Sequence, residues 1–78
     1  MNEWLTRARE IVAQTSGADV DLLDLSAADQ ETLLRLAGFA AHEGGERTNA
    51  PLLCYLVGLA CGKTGADLSA LVAAVTVN

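Results

Sequence analysis

The segment from Ala50 to Cys61 limits most narrowly how this chain can fold, because almost every residue in it is apolar. Its letters read APLLCYLVGLAC, and apolar side chains would surround it on every side if it formed a helix, which is typical of a central buried helix. It is too short to cross a bilayer, which takes about 20 apolar residues. We therefore predict a buried helix here, in a chain with no membrane-spanning segment.

The composition predicts that the remaining elements are helices too. Apolar residues make up 51% of the chain and charged residues 19%, a balance that is typical of folded chains. Most apolar residues are Leu, Ala and Val, whereas the chain has one Trp, one Tyr and one Phe. Because Leu and Ala favour helices and aromatic residues favour strands, we predict an all-α fold. A length of 78 residues indicates a single domain over residues 1–78.

Periodicity and capping residues divide the chain into four main helices, which we expect to form a compact bundle. Asn2 and Ser26 can cap the first two helices, and Gly17 can end the first. Gly62 to Gly65 is interpreted as a turn, after which Thr64 or Asp67 can cap the last helix. The predicted helices span about residues 2–15, 26–43, 50–61 and 66–76, with a short helical turn near residues 19–25.

Small residues recur along the second and third predicted helices at helical spacing. Such strips let two helix backbones approach closely, so we predict that these helices touch there and that Gly58→Leu would be destabilising through overpacking. The strip on the third helix consists of Cys54, Gly58 and Gly62, and that on the second consists of Ala37, Gly38 and Ala41.

Charge and cysteine content exclude several classes of function. Ten acidic residues against five basic ones give a formal charge of −5, which argues against binding to nucleic acid or to an anionic membrane surface. Cys54 and Cys61 would lie about 10 Å apart on one helix, beyond the reach of a disulfide, and no other cysteine completes a metal site. We expect no catalytic residues, no metal, no cofactor and a cytoplasmic location.

Two interpretations of the role of the loop after the second helix stay open. His42 lies at the C-terminal end of that helix, where a cation is favoured, so a structural role is the simpler interpretation. Alternatively, His42, Arg47, Thr48 and Asn49 hold an anion, together with free backbone N–H groups at the start of the third helix. Trp4 also has two interpretations. It either packs the first helix onto the bundle or contacts a partner protein.

The stretch from Ala41 to Gly62 resembles a family of short helical domains of unknown function that is common in actinobacteria. The opening Glu-Trp-Leu of Glu3–Leu5 also looks like the start of that family. Members occur alone or fused to a molybdenum-cofactor guanylyltransferase and are often labelled molybdopterin-guanine dinucleotide biosynthesis proteins. The matching positions are Leu36, Ala37, Ala41, His42, Arg47, Ala50, Pro51, Leu52, Tyr55, Leu56, Gly58 and Gly62.

The resemblance implies a pathway rather than an activity, because the nucleotidyltransferase domain itself is not in this sequence. Our first hypothesis is a non-catalytic helical accessory or interaction module linked to molybdenum-cofactor biosynthesis, with a protein partner or a second copy of the chain bound to it. The alternative is a small-ligand or anion-binding domain that uses the loop between the second and third helices.

Overall fold

A computed structural model describes residues 1–77, and the regular structure within that range is entirely helical. The all-α class, the four main helices and the short helical turn before the second are therefore confirmed. The α-helices are α1 (Glu3–Ser16), α2 (Ala27–Glu43), α3 (Asn49–Thr64) and α4 (Leu68–Val77), and a 3-10 helix, η1, spans Val20–Leu22.

Side-chain caps begin three of the helices where the sequence predicts them. Asn2, Ser26 and Asp67 precede α1, α2 and α4, and an oxygen of each side chain accepts a backbone N–H of the first turn. Each cap satisfies one of the N–H groups that a helix start leaves without an intrahelical partner. The donors are the amides of Leu5, Asp29 and Ala70, at 2.8, 3.0 and 3.0 Å.

The predicted turn at Gly62 to Gly65 is wrong for its first three residues, since α3 continues through Gly62 to Thr64. The helix ends at Gly65, which has a φ of 74° and donates its N–H to the carbonyl oxygen of Cys61 at 3.0 Å. A glycine inside a helix lowers the stability of the helix by only about 1 kcal/mol relative to alanine. The left-handed conformation that closes a helix, in contrast, strongly favours glycine. The second glycine therefore ends α3, and α4 starts at Leu68 rather than near residue 66.

The described chain divides into two compact units, one of Met1–Gln30 and one that starts at Glu31, so the boundary falls in the first turns of α2. In the first unit, α1 contacts η1. The guanidinium group of Arg9 donates from Nε to the carbonyl oxygen of Leu23 and from a terminal nitrogen to that of Val20 at 2.7 Å. Arg9 thus adds a charged donor to two carbonyl groups around the 3-10 helix, and that of Val20 also accepts the backbone N–H of Leu23 at 3.1 Å.

The second unit has an apolar core to which α2, α3 and α4 each contribute one buried side chain. Leu36 of α2 has no exposed surface, and Val57 of α3 and Val72 of α4 are 5% and 6% exposed. Half-buried apolar residues of α3 and α4 surround these three, so the core joins all three helices. The surrounding residues are Leu53, Cys54, Cys61, Leu68, Leu71 and Val75.

The predicted close crossing of α2 and α3 is wrong at its three glycines, although the Cys54 thiol of α3 lies 4.0 Å from the carbonyl oxygen of Leu33 in α2. Nothing in residues 1–77 lies within 4 Å of the position that a Cβ would occupy at Gly38, Gly58 or Gly62. Residues four apart advance about 40° around a helix, so the strip that begins at Cys54 winds away from the core. Cys54 itself, like Ala41, is half-buried, and it packs against the core that Leu36 and Val57 share.

Candidate interaction surface

One face of α3 points away from the core and carries large apolar side chains. Leu52 is 63% exposed, Tyr55 is 67% exposed and Leu56 is 60% exposed. Positions i, i+3, i+4 and i+7 share one face of a helix, so these residues form a row with Leu59, which is half-buried. We call Leu52, Tyr55, Leu56 and Leu59 the α3 stripe.

The stripe corrects the prediction that α3 is buried on every side. Within Asn49–Thr64, Val57 is the one buried side chain. The buried face is the opposite one, and it holds Leu53, Cys54 and Cys61 against the core. Apolar residues that surround a helix cannot show by themselves which side is buried, and here one side stays at the surface.

A shallow groove runs beside the stripe, between the last turns of α2 and the first turns of α3. Phe39 and Ala40 of α2 line it together with Leu53 of α3, and Glu43 is a charged lining residue. Leu52 and Leu56 of the stripe line the same groove, so the stripe and the groove form one continuous apolar surface within the second unit. An amphipathic helix that presents apolar side chains at i, i+3 and i+4 fits a surface of this kind.

Charges lie at the two ends of the α3 stripe and not along it. Lys63, in the last turn, is the one charged residue within α3. The loop before α3 carries Glu46 and Arg47, and Glu43 ends α2. The centre of the surface is therefore uncharged, as in the cores of protein interfaces, where charged residues are depleted.

The loop between α2 and α3 is closed by Asn49 and requires glycine at position 44. The side-chain amide of Asn49 donates to the carbonyl oxygen of Gly44 at 3.0 Å. A Cβ at position 44 would lie against the carbonyl oxygen of Ala40 and 2.7 Å from Nδ2 of Asn49. The amide of Gly44 also donates to that carbonyl of Ala40, at 3.1 Å, so this glycine ends α2 by a close approach of backbone to backbone.

The loop offers fewer free donors than the anion-binding hypothesis requires. The amides of Asn49 and Ala50, which were expected to be free, donate to the carbonyl oxygens of Glu46 and Arg47, both at 3.1 Å. The hydroxyl of Thr48 lies 3.4 Å from Oε2 of Glu46. His42 is exposed in the last turn of α2, as predicted. Anion binding by His42, Arg47, Thr48 and Asn49 stays a prediction, which a shift of the His42 resonances on addition of phosphate would support.

A second exposed apolar patch lies on α1, in the first unit. Trp4 is 71% exposed and Ile11 is 63% exposed, and both line a shallow depression with Arg7 and Ala8. The exposure of Trp4 favours the interpretation of this residue as a contact for a partner over its interpretation as a core residue. Val12, next to Ile11, is 56% exposed, whereas Arg7 places a charge beside the patch.

Comparison with known families places the whole described chain in one family. The model of a family described as Domain of unknown function (DUF6457) matches residues 1–77. The chain belongs to the DUF6457 family. No curated protein and no solved structure is significantly similar to it. Since the description of DUF6457 states no activity, the function has to be argued from the surface of the chain itself.

Two further findings concern residues 1–77. None of the helices there is long and apolar enough to cross a membrane. Over the same residues, no three His, Cys, Asp or Glu side chains are grouped so that they could hold a metal ion.

Proposed function

We propose that this DUF6457 chain is a non-catalytic helical interaction module, which acts in the cytoplasm and binds a protein through the α3 stripe. One observation supports the proposal above all others: Leu52, Tyr55 and Leu56 share one helix face, and each is at least 60% exposed. Full burial of a Leu side chain is worth about 1.5–3 kcal/mol, so a partner that covers this face would gain several kcal/mol. Contiguous exposed apolar surface of this kind marks interaction sites in soluble proteins.

On α3, the exposed face of the stripe and the face that packs against the core lie on opposite sides of the helix. Removal of a stripe side chain leaves the contacts of Leu36, Val57 and Val72 intact, because these residues lie on the opposite side. The stripe can therefore be changed without loss of the core, and binding can be tested apart from folding.

The test is affinity purification of tagged chain from native cells, followed by identification of the proteins that are retained. Leu56→Glu places a charge in the middle of the stripe, and Leu34→Glu is the matched control, since Leu34 lies on α2 and is 73% exposed. We expect proteins that bind wild type and Leu34→Glu to be lost from Leu56→Glu. Equal retention by all three chains would contradict the proposal.

We further propose that the pathway served is the biosynthesis of the molybdenum cofactor. The support for this is the resemblance over Leu36 to Gly62 to actinobacterial domains found alone or fused to molybdenum-cofactor guanylyltransferases. In a deletion strain, we expect a lower activity of molybdenum-dependent oxidoreductases, restored by wild type and not by Leu56→Glu. Unchanged oxidoreductase activity in the deletion strain would contradict the pathway but not the interaction surface.

A further inference from the structure

We infer that the partner of the α3 stripe is a second copy of this chain, packed antiparallel to the first about a two-fold axis near Tyr55 and Leu56. This inference rests on the proposed function and names its partner. Its basis is that the stripe is complementary to itself in shape and in charge when one copy is reversed, which is the requirement for a two-fold interface.

The apolar positions match along the whole length of two antiparallel α3 helices. With the axis between Tyr55 and Leu56, these two residues meet their counterparts of the second copy around the axis. Leu52, one turn earlier, then lies opposite Leu59 of the second copy, and Leu59 lies opposite Leu52 of the second copy. All four side chains of the stripe thus face Leu or Tyr side chains of the second copy, and the hydroxyl of Tyr55 is the one polar side-chain group among them.

The charges at the two ends of α3 match in the same arrangement. Lys63 follows the stripe at the next position of the row, because it is four residues after Leu59. The antiparallel pairing places it opposite Thr48 of the second copy, whose hydroxyl lies 3.4 Å from the carboxylate of Glu46. Each Lys63 therefore comes within reach of an exposed Glu46 of the other copy, and the two-fold axis produces two such pairs.

A parallel arrangement has the opposite electrostatics. It would place Lys63 beside Lys63 at the C-terminal end of the two helices, and like charges in contact are unfavourable. The chain as a whole carries a formal charge of −5, so two copies repel each other at long range. The stretch from Asn49 to Thr64 contains no acidic residue, so two copies can meet through the α3 stripe without carboxylates in contact.

The size of the stripe sets the strength of the expected association. A helix of 16 residues is about 24 Å long, and one face of it covers less than the roughly 800 Å² that each partner of a standard interface contributes. We therefore expect a reversible dimer with a Kd of about 10–100 μM rather than a permanent one.

The first experiment is sedimentation equilibrium of the full chain from about 5 μM to 1 mM, which brackets that Kd. Wild type and Leu34→Glu are expected to pass from monomer to dimer across this range. Leu56→Glu brings two carboxylates together near the axis, so its association should be at least about 30-fold weaker. Circular dichroism at the same concentrations checks that all three chains are folded.

The second experiment tests the antiparallel arrangement with charge reversals at exposed positions. Lys63→Glu and Glu46→Lys should each weaken dimerisation by about 3–10-fold. The double variant reverses both ends of the pair and should recover the wild-type Kd to within about 3-fold. Additive weakening in the double variant would overturn the antiparallel pairing.

The outcomes separate this inference from the proposed function. A chain that stays monomeric at 1 mM overturns the inference, yet retention of another protein that depends on Leu56 would keep the interaction module. A dimer that Leu56→Glu leaves intact overturns the role of the stripe in self-association. A dimer that is lost in Leu56→Glu and recovered by the paired charge reversal supports the inference in full.

Discussion

The two compact units of the chain hold their helices together by different means. In Met1–Gln30, a single guanidinium group, that of Arg9, donates to two carbonyl groups around η1. In the unit that starts at Glu31, three helices instead share an apolar core around Leu36. A chain of this length buries only about 60–65% of the surface that it exposes when unfolded. Within residues 1–77, the buried Leu and Val side chains all lie in one unit, whereas a polar side chain binds around η1 in the other.

The largest loss of stability is expected from Leu36→Ala, which removes the one large side chain that is fully buried within residues 1–77. The loss of buried area and the cavity that remains should lower the free energy of unfolding by about 3–5 kcal/mol. Urea denaturation followed by circular dichroism measures it. Leu34→Ala, at a site that is 73% exposed two residues away, is the control and should change stability by less than about 1 kcal/mol. If both variants lost similar amounts of free energy of unfolding, the apolar core around Leu36 would not be what stabilises the second unit.

Arg9→Met should act on the other unit, through hydrogen bonds rather than packing. Hydrogen bonds from a charged group are worth about 1.5–3 kcal/mol, so we expect amides around η1 to become less protected by about that amount. Hydrogen exchange followed by NMR gives the protection of each amide, with the α3 amides as an internal reference. The control is Arg7→Met, since Arg7 is exposed on the same helix. Equal loss of protection in α3 and in η1 would show that the two units do not differ in this way.

Gly44→Ala tests the close approach at the end of α2, in the second unit. Because the added Cβ would meet the Ala40 carbonyl and the Asn49 amide, we expect a loss of about 1–3 kcal/mol in the free energy of unfolding. Thermal denaturation measures the stability of this variant and of the control Gly38→Ala. The control should show no such loss, since a Cβ at position 38 meets nothing within 4 Å in residues 1–77. A Gly44→Ala variant as stable as wild type would mean that the loop adjusts freely.

The smallest change in the free energy of unfolding is expected at Gly58, and it is a gain rather than a loss. This glycine is exposed inside α3, so Gly58→Ala should stabilise the chain by about 0.5–1 kcal/mol through helix propensity alone. The same denaturation experiments measure it. A marked loss of stability would restore the close crossing of α2 and α3 that the small-residue strip first suggested.

Local rules predicted the ends of helices well, because capping depends on a few neighbouring residues. Asn2, Ser26 and Asp67 each accept the hydrogen bond expected of them, and Gly17 closes α1 with a φ of 79°. The C-terminal end of α3 was harder, because either Gly62 or Gly65 could have ended the helix. Only the backbone geometry shows that Gly65 does so.

The surface was much less predictable than the helices. Apolar residues surround α3, so its sequence alone does not distinguish the face of Val57 from that of Leu56. That distinction depends on where α2 and α4 pack, and the packing is set by contacts between residues far apart in sequence, such as Leu36 and Val72. Arg9 was missed for the same reason, since nothing in its neighbours indicates that its guanidinium would meet the carbonyl groups of residues 20 and 23.

The exposure of Trp4 has a practical consequence for anyone who studies this chain in solution. It is the only tryptophan, it is 71% exposed, and it lies in the unit that lacks the shared apolar core. Its emission should therefore change little when the core around Leu36 unfolds, and a fluorescence melt would underestimate the cooperativity of that core. In Trp4→Phe, the single tyrosine, Tyr55, becomes the remaining emitter, which turns the intrinsic fluorescence of the chain into a report on the α3 stripe.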